Sequence, residues 1–257
     1  MTQCPKCQYV RTEDDGHVIS GVCPACGIVY AKWSASQQDN VVRDTSSTTP
    51  DEEPELDDEV IEDSTLFQKV TALLFDVPDR VDPVVFWGRA FIFVVFVIWG
   101  LWFISTNGSW QDIGGSFLHN INLAFHEFGH VLFRPLGEFM SILGGSLFQV
   151  MMPLIVMVAF IRQGDNFEAA IMLWWTGQNF IDLSSYISDG QYRGLPLIMG
   201  MGEEAHDWGN LLTMMNKVEY AYVYGKFSFY LGSVIIVIGL AWAGYILYLQ
   251  KQNKSDF

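Results

Sequence analysis

The stretch "FHEFGH" at 125–130 sets His126, Glu127 and His130 in the order His-Glu-x-x-His. On a helix, residues four apart project from one face, so the two imidazoles can share one zinc ion. Glu127 stands about a hundred degrees further round the helix. It can reach water at the ion without being a ligand, which is the place of a general base. That chemistry is hydrolysis: zinc lowers the pKa of water, and the carboxylate takes the proton and delivers it to the leaving group. A catalytic zinc needs a third protein ligand. "QNFIDLSSYISDG" offers Asp182 and Asp189, and "GEEAHDWGN" offers Glu203, Glu204, His206 and Asp207. His119 and Asn122 share the stripe of His126 and read as interior polar groups. Seven residues span about 10 Å along a helix, too far for His119 to join the same ion.

A second constellation lies at the N-terminus. Cys4, Cys7, Cys23 and Cys26 form two Cys-x-x-Cys pairs with fifteen residues between them. Each pair can turn two thiolates toward one ion, and the two together complete a closed, structural Cys4 zinc site. The pattern resembles the zinc-ribbon family, with Gly27 suiting the tight turn and His17 left in the intervening loop. The ribbon is expected over 1–33, with a protein partner or a regulator as its target.

The elements that must carry the histidines are apolar. Half of the 257 residues are hydrophobic and 15% are aromatic, which argues against an ordinary soluble protein. The net charge of −15 comes largely from one region, since residues 39–82 hold 14 of the 29 acids and three basic residues. Without a basic stripe, nucleic acid is excluded as a partner. Residues 34–65 read as a disordered acidic linker. Residues 66–82 read as a juxtamembrane amphipathic helix, with Leu66, Phe67, Val70, Leu73, Leu74 and Val77 on one face and Ser64 as its cap. The predicted fold is mainly α: a polytopic membrane helix bundle over 83–250, with a short tail at 251–257. About five spans are expected, at 84–105, 114–134, 139–161, 167–187 and 227–249. Basic residues near the span ends favour a cytoplasmic N-terminus, and the expected setting is a bacterial inner membrane. With that topology spans two and four run parallel, and both halves of the metal site approach their cytoplasmic ends.

"HEFGH" at 126–130, followed by Asn179 and "SDG" at 188–190, resembles the site-2 protease family of intramembrane zinc metalloproteases, as a divergent relative. The resemblance implies His126, His130 and Asp189 as zinc ligands, Glu127 as general base, and Asn179 as a polar group near the water or the scissile carbonyl. "GGSLFQ" at 144–149 is a weaker echo of that family. The prolines of the family's third helix are absent, and Ser188 replaces a leucine, so Asp182 and His206 stay open as ligands. The activity implied is a zinc-dependent membrane metalloendopeptidase cutting a membrane or membrane-proximal peptide. The competing reading is a non-catalytic membrane scaffold or metal-binding protein whose ribbon recruits a partner.

Overall fold

The computed structural model describes residues 4, 6–10, 22–26, 28, 65–78, 81–197, 200 and 202–253. They fall into two units, Met1–Glu62 and Asp63–Phe257. In the first, each Cys-x-x-Cys closes a turn through its backbone. Gln8 N donates to Cys4 O (2.9 Å), Cys4 N to Tyr9 O (2.8 Å), and Cys23 N to Ile28 O (2.9 Å). Gln8 takes a left-handed conformation, φ 60°. Its counterpart Gly27, His17, Ser64 and the linker up to residue 64 lie outside the described residues.

The second unit is helical. Helix α1, Leu66–Leu74, starts at a capping box: Thr65 Oγ1 accepts from Gln68 N, and Gln68 Oε1 accepts from Thr65 N. Thr65 is therefore the cap in place of the expected Ser64. No α1 residue is buried, and Leu66 and Phe67 are each 78% exposed. Helix α2, Pro83–Ser105, begins with Asp82 accepting from Val84 N (2.7 Å) and proline in the first turn, a combination that suits a helix start. A short helix α3 (Trp110–Ile113) and helix α4 (Phe117–Phe133) follow. Then come α5 (Glu138–Gln163), α6 (Asn166–Ser188), α7 (Asp207–Met214) and α8 (Ala221–Gln252).

Hydrogen bonds at the helix ends define which ends lie together. Arg89 in α2 makes a bidentate pair with Glu168 in α6, with its Nη2 at 2.7 and 2.9 Å from the two carboxylate oxygens. Val81 N donates to Asn253 O, and Asn166 Nδ2 donates to Leu73 O and Asp76 O. The starts of α2 and α6, the end of α8 and helix α1 thus share one end of the bundle, termed the near end. At the other, far end, Lys226 Nζ donates to Asn107 O, joining the start of α8 to the end of α2. Helix α5 turns into α6 at Gly164, whose φ of 78° suits glycine. So α5 ends at the near end and begins at the far one.

Three helices are long and apolar enough to cross a membrane: Pro83–Ser105, Glu138–Gln163, and the α8 segment with its preceding turn, Val218–Gln252. The expected second and fourth spans differ from these. Helix α4 has 17 residues, about 25 Å at 1.5 Å per residue, against a hydrocarbon core of about 30 Å. The chain leaves α2 at the far end and enters α5 at the far end, so α3 and α4 go in and come back. Helix α6 is long but carries polar residues through its second half, and most of its residues are buried. Gly177 and Gly232 allow the close contact of α6 with α8: a Cβ on Gly177 would stand 2.6 Å from Gly232 O.

Candidate metal centre

The His-Glu-x-x-His motif lies within α4, with His126 buried and His130 partly exposed. Helix α5 packs along it through Gly129 and Gly144, where a Cβ on Gly129 would meet the Gly144 backbone. This contact supplies a fixed partner for one nitrogen of each imidazole. His126 Nδ1 lies 3.0 Å from Gln149 Oε1, and His130 Nδ1 lies 2.8 Å from Ser141 O. Both partners are acceptors, so each ring carries its proton on Nδ1 and presents a bare Nε2, the form a metal ligand requires.

Both bare nitrogens converge on Asp207, the first residue of α7. Its Oδ2 is 2.9 Å from His126 Nε2 and 3.2 Å from His130 Nε2. The three ligand atoms lie within 4.8 Å of one another, which could hold a metal ion. These two separations are close to the edge of about 3.3 Å that a tetrahedral ion with N/O bonds near 2.0–2.1 Å imposes. A further observation fits the same ion. A Cβ on Gly145 would stand 2.6 Å from His130 Nε2 and 2.7 Å from His126 Nε2. Only a bare Cα leaves that space open.

The remaining candidates hold other places. Asp182 accepts from His119, Asn122 and Gln149. Asp189 Oδ2 accepts from Leu195 N (2.9 Å) and lies 3.2 Å from His206 Nε2. His206 Nδ1 accepts from Gly209 N (3.0 Å), so its proton sits on Nε2 and both ring nitrogens are occupied. Burial lowers the His206 pKa despite the pull of Asp189. Asp189 and His206, two of the alternatives for the third ligand, thus clasp each other just before Asp207. Asn179 donates to Trp175 O of its own helix and is wholly buried. Glu203 and Glu204 lie in the turn before His206, and Arg193 Nη1 donates to Glu203 O.

The residue this sequence reading left in the background is Asp207. Its signal was a histidine and an aspartate adjoining at a helix start, but the family spacing pointed to Asp189. Tyr186, also unanticipated, accepts from Asp207 N at 2.9 Å. Glu127 lines a cavity of about 350 Å³ together with His126, His130, Asp207, Tyr186 and His119. Leu123, Ile142, Leu183 and Pro196 supply apolar wall to the same cavity. The expected approach of the site toward the ends nearest the N-terminus is not what the fold gives. Asp182, Tyr186 and Asp207 lie toward the far end of α6, opposite the start of α2.

In the first unit the four sulfurs also meet. Cys4 Sγ and Cys26 Sγ are 3.7 Å apart, as are Cys7 Sγ and Cys23 Sγ. A disulfide is far shorter, at about 2.05 Å. A zinc tetrahedron with bonds near 2.3 Å has edges of about 3.8 Å, so the sulfur set fits a metal ion.

Compared with known proteins, the chain matches no family model, no curated sequence and no solved structure.

Proposed function

We propose that this chain is an integral-membrane zinc endopeptidase, hydrolysing a peptide bond of a membrane or membrane-proximal segment. One observation carries the reading: His126, His130 and Asp207 converge on the wall of a cavity that Glu127 also lines. The two histidines and the aspartate would hold the ion, and zinc there supplies Lewis acidity that brings water's pKa toward neutrality. Glu127 is the base, taking a proton on its carboxylate and returning it to the departing amine. Tyr186 steadies Asp207 through the backbone amide it accepts from. The apolar walls suit an aliphatic substrate segment and limit bulk water around the reacting groups. A purely structural His2Asp site has no use for a carboxylate beside the two histidines.

The kinship proposed with site-2 proteases rests on the motif, with Asp207 standing where Asp189 was expected. A second zinc, structural and closed, belongs to the four cysteines. A cytoplasmic N-terminus in a bacterial inner membrane suits thiolates in a reducing compartment.

The test is Glu127→Ala in detergent-solubilised full-length protein, assayed on a fluorogenic peptide library with apolar cores. Metal content should stay at the wild-type level while cleavage falls by about 10²–10⁴-fold. Cleavage equal to wild type, or none in the wild type itself, would leave a metal-binding membrane protein without this activity.

A further inference from the structure

Asp182 is a buried carboxylate on α6 that three side-chain donors meet. His119 Nδ1 reaches Oδ1 at 2.9 Å, while Asn122 Nδ2 and Gln149 Nε2 reach Oδ2 at 3.1 and 3.0 Å. Gln149 then turns its other amide atom, Oε1, to His126 Nδ1 at 3.0 Å. The amide is bonded at both ends, so neither bond is separable from the other. A carboxylate only accepts, which obliges Gln149 to give it the NH2 and leave the oxygen for His126. That oxygen holds the imidazole proton on Nδ1 and leaves Nε2 bare for the ion. If the amide turned over, its NH2 would face Nδ1 and drive the proton onto the ligating nitrogen.

We propose that Asp182 is a positioning residue of the metal centre, acting on His126 through Gln149. The proposal rests on the metal reading above and adds a residue to it. Asp182 never touches the ion; its charge selects the orientation of an amide, and the amide selects the tautomer of a ligand. The cost of burying an acid at membrane depth finds an explanation in this role. His119, on the other carboxylate oxygen, lies off the line.

The experiment measures cobalt affinity of full-length protein in detergent by chelator competition. The membrane site is followed by its d–d bands, apart from the thiolate-to-cobalt charge transfer of the cysteine site. Gln149→Met and Asp182→Asn should each weaken cobalt binding about 10–100-fold. Because the two act in series, the double variant should match Gln149→Met alone within about 3-fold. His119→Ala should bind within about 3-fold of wild type. Losses that multiply in the double variant, or an unchanged affinity in Gln149→Met, would overturn the proposal. Should Asp182→Asn fail to fold, Gln149→Met decides by itself. A wild type with no d–d bands beyond the cysteine site removes the metal reading, and this proposal with it.

Discussion

Asp207 stands against both imidazoles, while the two aspartates of the 182–189 stretch are engaged elsewhere. Asp189 serves Leu195 N and His206, and Asp182 serves three donors on α4 and α5. The two roles separate under mutation. Asp207→Ala should lower zinc content by about one ion per chain, since two imidazoles alone make an incomplete site. Asp189→Ala should keep that ion and cost about 1–3 kcal/mol of stability, the penalty for orphaning buried partners. Metal analysis with thermal unfolding checks both; an Asp189→Ala protein that loses the ion would restore the family's ligand pattern. The motif at 126–130 was legible because two histidines four apart share a helix face whatever surrounds them. The third ligand was not, because no local spacing ties residue 207 to residue 126. The link is made by the Asp189–His206 clasp and the Tyr186 hydroxyl, all of them tertiary.

At the scale of elements, α4 and α5 act as one device. The Gly129–Gly144 contact brings the helices close enough for Ser141 O and Gln149 to reach the two histidines. Gly145, one residue on, opens the face of the site. Gly145→Ala should therefore abolish metal at the membrane site, because its methyl would collide with both Nε2 atoms. It should also unfold below the metal-free wild type, since the methyl meets the imidazoles whether or not an ion is bound. Retained metal in Gly145→Ala would show that the ion, if bound, sits elsewhere. The sequence reading named "GGSLFQ" only as a family echo, and the structure gives its second glycine and its glutamine each a job. Helix α6, expected as a span, is not among the three helices that length and composition alone mark as able to cross. With 16 of its 23 residues buried, it needs no lipid-facing apolar surface and can carry polar residues inward. A hydropathy pattern reads lipid exposure, so it finds α2, whose surface is mostly bare, and undervalues a helix enclosed by its neighbours.

At the scale of the whole unit, the fold separates its two ends. Helix α1, the start of α2 and the end of α8 lie together through Asn166, Trp242 and the Val81–Asn253 bond. The ligands gather toward the other end, where α2 finishes and α8 begins. A reading of alternating spans put the site on the N-terminal side because it counted α4 as a crossing. Once α4 leaves from and returns to the far end, the parity changes and the site moves across. Charge could not reveal this, because basic residues occur at both ends: Arg89 at the near end is paired with Glu168, and Lys226 at the far end with Asn107. The consequence is a sidedness that labelling can read. All four native cysteines lie in the first 26 residues, so a version with these as serine offers a clean background. Single cysteines at Thr65 and Lys251 mark the near end, and one at Glu219, an exposed position before α8, marks the far end. In sealed vesicles, a membrane-impermeant maleimide should modify Thr65→Cys and Lys251→Cys from one face and Glu219→Cys only from the other. Modification of all three from the same face would mean that the helices do not cross as the end-to-end bonds require.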